Sequence, residues 1–115
     1  MNIQSMLGKI FTAVYRTADD GKLIFENDTE RYTFYHKQSC CENVSIESIV
    51  GDLSDLVGEP LTFVDESSAD YEEASESGTW TFYKFATVKG WVDVRWLGES
   101  NGYYSESVNL RYEEL

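Results

Sequence analysis

The chain lacks the features that mark secreted and membrane proteins. Its 115 residues include two cysteines, which are adjacent at Cys40 and Cys41, so the spaced framework that staples small secreted domains is missing. We expect both to be free thiols, one packed in the core and the other facing outward. No stretch approaches the roughly 18 to 20 consecutive apolar residues of a membrane span, and no signal peptide is recognisable. These absences predict a protein of the host-cell cytoplasm with no membrane partner.

Lysine and arginine are missing between Lys37 and Lys84, and this gap explains the net charge of −12. Eleven of the 21 acidic residues lie in the gap, whereas the rest of the chain has ten acids and nine bases. A block of this kind repels nucleic acid phosphates and attracts basic protein surfaces. We therefore expect no direct nucleic acid binding and a host protein with a basic groove as partner. The alternative is that the acids only keep the protein soluble.

Apolar and aromatic residues are frequent enough to build a folded core. Apolar residues make up 42% of the chain and aromatic residues 15%, whereas disordered chains have few of either. The length fits one domain, residues 1–115, that buries a core without disulfides. The pattern predicts a mainly β, or β-rich α+β, fold. We expect an antiparallel sheet or half-open barrel of six to eight strands with one short helix.

The first half of the chain predicts a hairpin followed by short strands. Residues 9–17 and 22–27 flank an Asp20-Gly21 step, where glycine supplies the positive φ of a hairpin turn. Further strands are predicted at residues 31–37, 44–49 and 61–65. Residues 52–57 begin with a capping aspartate and are followed by a glycine, which suits one short helix.

The last third of the chain predicts a three-stranded meander. Its strands are separated by glycine-bearing turns and lie at residues 79–87, 91–97 and 103–112. Residues 66–78, before the first of them, are polar and show no alternation. This segment predicts one long acidic loop, and we expect residues 67–78 to be mobile and to tolerate shortening.

The period of two along a strand also assigns faces and register. One buried face is predicted for Val92, Val94 and Trp96. A three-residue loop at residues 100–102 pairs Val94 with Val108 and keeps buried residues opposite each other. A two-residue loop pairs Val94 with Asn109 and mixes the faces. We therefore expect the strand at residues 103–112 to pair with the strand at residues 91–97.

Two blocks of the sequence resemble a family of small phage and prophage proteins without an assigned activity. They are YHKQSCCENVSIESIVGDLSDLVGEP at residues 35–60 and WTFYKFATVKGWVDVRWLGESNGYYSESV at residues 80–108. These two sequence blocks are specific, because paired cysteines before an acid and a Ser-Asn-Gly-Tyr-Tyr-Ser run seldom occur together by chance. The resemblance extends from about residue 23 onward. It implies a phage context and carries no residue role.

Candidate chemistry is confined to one local cluster, which consists of His36, Cys40, Cys41 and Glu42. A zinc site from these side chains is chemically allowed, but adjacent cysteines chelate one ion poorly. A Cys-His nucleophile needs a thiolate, a base and an oxyanion hole, and His36 is the sole imidazole. Solvated loop acids lack the shifted pKa of a general acid. No phosphate loop, dinucleotide fingerprint or GxSxG elbow is present. We expect no enzyme activity, metal or cofactor.

The expected function is that of a non-enzymatic, acidic, phage-encoded inhibitor. It binds a basic surface of a host defence or nucleic-acid-processing protein, in the manner of an anti-CRISPR or a DNA mimic. The predicted partner-binding residues combine central acids with one aromatic face: Asp65, Glu66, Asp70, Glu72, Glu73, Glu76, Trp80, Phe82 and Trp91.

Other interpretations of the same pattern stay open. The aromatic residues can supply desolvated anchors for a partner, or they can pack on a second sheet or a dimer mate. The chain is then a monomer or a homodimer. Two alternative functions are a protein that sequesters a small nucleotide messenger in an aromatic pocket and a homo-oligomeric virion or assembly accessory.

Overall fold

The computed structural model describes residues 2–115 and contains eight strands in that range. They are β1 (Ala13–Arg16), β2 (Leu23–Glu26), β3 (Glu30–Tyr35), β4 (Asn43–Val50), β5 (Phe63–Asp70), β6 (Ser77–Thr87), β7 (Gly90–Ser100) and β8 (Asn109–Glu114). Single 3-10 turns at Ile3–Met6 and Leu53–Leu56 complete the regular structure, and Asp52 caps the second as predicted. The expected mainly β fold is confirmed.

The strands form two four-stranded antiparallel sheets rather than a barrel. The first sheet has the order β1-β2-β3-β8 and the second the order β4-β7-β6-β5. The predicted hairpin of β1 and β2 is confirmed. Its left-handed residue is Asp20, with φ of 58°, and Gly21 instead donates its N–H to the Asp19 carboxylate. Asx chemistry, rather than glycine, therefore makes this turn.

The two sheets pack face to face through aromatic side chains. Phe25 and Phe34 of the first sheet contact Phe85 and Tyr83 of the second, with ring centres 4.8 Å apart in both pairs. Trp96 is fully buried between them, and the predicted buried face of β7 is confirmed. Rings of this size supply most of the apolar area that a domain this small buries.

The predicted pairing of the last strand is wrong. The strand begins at Asn109 rather than at residue 103, and it pairs with β3 of the first sheet instead of β7. Leu110 lies opposite Phe34 and Tyr112 opposite Tyr32, so the apolar side of β8 still faces the core. Either sheet can bury the same alternating residues, and periodicity does not choose between them.

The predicted long acidic loop is also wrong. Strand β5 continues to Asp70 and β6 begins at Ser77, so the turn comprises only residues 71–76. The pairing runs to Asp70 opposite Thr79. Strand β5 lies at the edge of its sheet, and beyond Val64 its side chains are exposed. A strand with two solvated faces shows no apolar alternation, which explains why its sequence resembles a loop.

Candidate functional site

The turn between β3 and β4 is organised around the buried side chain of Glu42. Its carboxylate accepts hydrogen bonds from the backbone N–H groups of Cys40 (2.8 Å) and Ser39 (3.1 Å). The side chains of His36 (3.0 Å) and Gln38 (3.2 Å) also donate to it. The Cys40 N–H and the His36 ring lower the pKa of Glu42 to about 2, against the opposing effect of burial. Glu42 is therefore ionised at neutral pH.

His36 connects this turn to the segment that precedes β8. Its Nδ1 lies 2.7 Å from the backbone oxygen of Ser107, and its Nε2 faces the Glu42 carboxylate. The backbone carbonyl and the carboxylate are both hydrogen-bond acceptors, and each lies within hydrogen-bond distance of one ring nitrogen. Both nitrogens are thus occupied by protein groups. His36 holds the Ser107 segment in place.

The expectation of free thiols with one cysteine in the core is wrong. Cys40 and Cys41 are both exposed in the turn, and a disulfide joins them. Neighbouring residues in a turn bring their sulfur atoms within bonding distance, and neither side chain reaches the core. The nucleophile and the soft metal ligand are thiolates, which a disulfide is not. Within residues 2–115, three or more metal-ligating side chains do not come together.

An aromatic surface covers the outward side of the second sheet. Trp80 and Phe82 of β6 lie on it together with Trp91 of β7, as the sequence predicted, and Phe63 of β5 joins them. We call these four residues the outer aromatic face. Trp91 is 56% exposed and Phe63 is 39% exposed, and their ring centres lie 5.1 Å apart. No other sheet of the described chain packs on this side.

Cations from neighbouring strands cover the tryptophan rings of the outer aromatic face. The Arg95 guanidinium lies 4.7 Å from the centre of the Trp80 ring, and its Nη2 is 2.6 Å from the Glu47 carboxylate. Lys84 lies 5.5 Å from the centre of the Trp91 ring and 3.5 Å from Asp93. Each cation is therefore shared between a ring and an acid. Strand parity places Arg95 on the same side of β7 as Trp91, but the contacts of Arg95 and Lys84 with the tryptophan rings were not predicted from the sequence.

The six predicted acids do not form one flat surface. Asp65 points outward beside the outer aromatic face, whereas Glu66 and Asp70 lie on the opposite side of β5. The other three, Glu72, Glu73 and Glu76, are in the turn at the end of the hairpin. Tyr71 packs on Trp80 at 5.1 Å and so connects this turn to the aromatic face. Four of the acids, Asp70, Glu72, Glu73 and Glu76, therefore lie at the turn end of the β5–β6 hairpin, and Asp65 and Glu66 lie nearer the centre of the sheet.

A polar cleft of about 470 Å³ opens on the inner side of the same hairpin. Its floor is formed by the inward positions of β6, and the segment before β8 makes one wall. We call it the hydroxyl cleft after the side chains that dominate its lining: Ser68, Ser77, Thr79, Thr81, Tyr104 and Ser107. Sequence reasoning missed this site. The signal for it was an alternation of hydroxyl and aromatic residues along β6, in which Ser77, Thr79 and Thr81 alternate with Trp80 and Phe82.

Glu106 fixes the wall of the hydroxyl cleft. Its carboxylate accepts hydrogen bonds from Thr79 Oγ1, at 2.7 Å, and from the Ser100 hydroxyl. Burial opposes its ionisation, but the hydroxyls of Ser100, Thr79 and Ser77 outweigh burial and hold the pKa of Glu106 below its usual value. A Cβ on Gly98 would lie 2.5 Å from the Glu106 backbone oxygen, so only glycine permits this approach.

One comparison with known proteins assigns a family. A profile described as a domain of unknown function, DUF7448, matches residues 4–110. The chain belongs to the DUF7448 family. No curated protein and no solved structure matches it. No helix in residues 2–115 of this DUF7448 domain is long and apolar enough to cross a bilayer.

Two carboxylates at these sites of the DUF7448 domain have pKa values below the ordinary range of a glutamate. Glu42 and Glu106 are both held ionised by hydrogen-bond donors. A general acid near neutral pH needs the opposite shift, which comes from an apolar environment without donors. Glu106 instead connects its segment to Thr79 of β6, whereas Glu42 organises the turn in which it lies. The remaining candidate surfaces are the outer aromatic face, the acidic hairpin end and the hydroxyl cleft.

Proposed function

We propose that the chain is a non-enzymatic binding protein that blocks a basic surface of a host defence or nucleic-acid-processing protein. In this proposal it is encoded by a phage and acts in the host cytoplasm, as anti-CRISPR proteins and DNA mimics do. One observation carries the proposal. The hairpin from residue 65 to residue 81 has six carboxylates and no lysine, arginine or histidine.

The charge of the hairpin end favours a basic partner. The six acids are exposed on both sides of β5 and in its turn, with four of them at the turn end, so their fields add along one edge of the sheet. Uncompensated carboxylates raise the local concentration of a Lys- and Arg-rich surface and speed its association. They also repel nucleic acid, which the same basic surface binds in its own function. A competitor of nucleic acid fits this pattern.

The outer aromatic face supplies the contact area that charge alone lacks. Trp91 and Phe63 are exposed beside Asp65, and Tyr71 and Trp80 connect the face to the acidic turn. Exposed tryptophan is typical of the few residues that carry most of the binding energy at an interface. Acids at the rim and rings at the centre together resemble a protein-binding surface.

The experiment compares two variants with the same change of charge. The hairpin variant carries Glu72→Lys, Glu73→Lys and Glu76→Lys, and the control carries Asp28→Lys, Glu59→Lys and Glu114→Lys, away from the hairpin. Immobilised proteins are exposed to bacterial lysate at low and high salt, and captured proteins are identified by mass spectrometry. We expect the parent and the control to capture basic nucleic-acid-binding proteins at low salt, and the hairpin variant to lose them.

Competition and mass measurements complete this test. Double-stranded DNA should displace the captured proteins if they use the same basic surface for both ligands. Equal capture by the two variants, or capture that salt does not weaken, contradicts the electrostatic proposal. Light scattering on the purified chain reports whether it is a monomer or a homodimer. A large stable oligomer instead favours the virion or assembly alternative.

A further inference from the structure

The β5–β6 hairpin changes from apolar to polar along its inner side. Near the centre of the molecule its inward residues include Val64, Tyr83 and Phe85, which are buried. Towards the turn the inward residues are four hydroxyl residues and two acids: Ser68, Ser77, Thr79, Thr81, Glu66 and Asp70. This stretch has no partner sheet and forms the floor of the hydroxyl cleft. The cleft is independent of the outer aromatic face, which lies on the other side of the hairpin.

The charge of the cleft lining excludes one class of ligand. Among residues 2–115, Glu66 and Glu106 are the charged residues that line it, and no lysine, arginine or histidine joins them. Two carboxylates repel phosphates, sulfates and other carboxylates at this range. A nucleotide messenger, one of the ligands considered from the sequence, therefore fits the cleft poorly. A lining dominated by hydroxyl groups also disfavours an apolar ligand.

The hydrogen-bonding groups that remain free match a hydroxyl-rich ligand. Within residues 2–115, the side chains of Ser68, Thr81 and Tyr104 make no hydrogen bond to other protein groups. A hydroxyl both donates and accepts. A ligand with many hydroxyls offers the same two functions, whereas an ammonium group only donates. The Tyr104 ring adds an apolar surface beside its polar tip, which suits the C–H face of a sugar ring.

The cleft is also held open before any ligand arrives. Glu106 connects its wall to Thr79 on the floor, and His36 holds Ser107 from the other side. A site that is ordered in advance loses less entropy on binding. The volume of about 470 Å³ lies within the range of small-molecule sites. We propose that the hydroxyl cleft binds a neutral saccharide of one or two rings.

The test is a titration of the whole chain followed by amide NMR spectra. The probes are maltose, cellobiose and N,N′-diacetylchitobiose at up to about 20 mM, which covers millimolar affinities. Spermidine and ADP serve as the cationic and anionic comparison ligands. We expect at least one disaccharide to shift amide signals of residues 66–68, 77–81 and 104–108, and ADP to leave them unchanged.

Two double variants, one in the cleft and one outside it, locate the binding site. Ser68→Ala with Tyr104→Phe removes two free hydroxyls of the cleft and should weaken disaccharide binding about thirtyfold, since each lost hydrogen bond costs about 1 kcal/mol. Ser45→Ala with Tyr103→Phe makes the same chemical changes outside the cleft and should leave affinity unchanged.

Three outcomes overturn the proposal. They are no shift with any of the disaccharides, shifts confined to residues outside the cleft, and binding of spermidine or ADP in the cleft without a saccharide. The wild-type titration alone is decisive even if a variant fails to fold. The saccharide proposal and the partner proposal can fail separately, because the NMR titration involves no protein partner.

Discussion

The two ends of the β5–β6 hairpin are built from different side chains. At the central end, the inward residues Tyr83 and Phe85 pack on Phe34 and Phe25 of the other sheet. At the turn end, the inward positions carry hydroxyls and the Asp70 carboxylate, and within residues 2–115 no ring of the first sheet lines the cleft there. The same two strands therefore contribute to the core at one end and present open surface at the other.

This difference means that one end of the β5–β6 hairpin stabilises the fold, while the other end is available for binding. Burial of aromatic area stabilises the central end, because the free energy gained follows the apolar surface removed from water. The turn end gains little in that way, and its acids and hydroxyls stay in solvent. Changes at the central end should unfold the protein, whereas changes at the turn end should alter what it binds. The following predictions test this division, from the largest expected effect to the smallest.

The largest effect is expected at the central end. Phe85→Ala removes a fully buried ring that contacts Phe25 and Phe34 and should lower the free energy of unfolding by about 3 to 5 kcal/mol. Ser68→Ala, towards the turn end of the paired strand β5, alters an exposed side chain and should change it by less than about 0.5 kcal/mol. Urea denaturation followed by tryptophan fluorescence measures both. Similar losses for the two variants refute the division.

An intermediate effect is expected where the cleft wall crosses β7. Gly98→Ala places a methyl group against the Glu106 backbone and should cost about 1 to 3 kcal/mol of stability, because the wall must shift. The outward-facing neighbour offers the control Glu99→Ala, which should cost less than about 0.5 kcal/mol. Amide NMR spectra should show the largest changes at residues 102–108. Unchanged amide signals at residues 102–108 would show that the close contact between Gly98 and Glu106 does not position the cleft wall.

The Glu42 carboxylate should make stability depend on acid. Its pKa falls from an ordinary value of 4.5 to about 2 because donors stabilise the ionised form. The contribution of Glu42 is thus complete above about pH 4.5 and is lost as the pH falls towards 2. Glu42→Gln should remove this dependence, whereas Glu114→Gln, at an exposed position, should retain it. Thermal unfolding between pH 2 and pH 6 measures the difference, and parallel curves for the two variants contradict the assignment.

The smallest effect on stability is expected at the outer aromatic face. Trp91→Ala should lower the free energy of unfolding by less than about 1 kcal/mol, because the ring is 56% exposed. If the face anchors a partner, the same change should speed dissociation of the complex while association stays nearly constant. Surface plasmon resonance with a captured partner separates the two rates. A dissociation rate equal to that of the parent removes Trp91 from the interface.

The parts of the fold that could be predicted from sequence are those made by neighbouring residues. The β1–β2 hairpin and the alternation of Val92 and Val94 need only a turn signal and a period of two. The partner of β8 could not be predicted, because Leu110 finds an apolar neighbour in either sheet. Strand β5 was missed because solvent on both sides of an edge strand removes the alternation that identifies strands.

The candidate sites divide in the same way. A shared face for Trp80, Phe82 and Trp91 was predicted correctly, because strand parity decides it. The hydroxyl cleft combines Glu66 with Glu106, which are forty residues apart, through a pairing of strands that no local pattern specifies. The contacts between the cations and the tryptophan rings were not predicted, for a related reason. Their positions depend on the register between β4, β6 and β7.

The central claim is that the turn end of the β5–β6 hairpin binds a basic partner and contributes little to the stability of the fold. The most direct test measures two quantities on one preparation of the Glu72→Lys, Glu73→Lys, Glu76→Lys variant: the free energy of unfolding and the rate of association with a captured basic partner at low salt. We predict that the free energy stays within about 1 kcal/mol of the parent, because exposed charges contribute little, while association slows at least about tenfold. An unchanged association rate, or a large loss of stability, contradicts the claim.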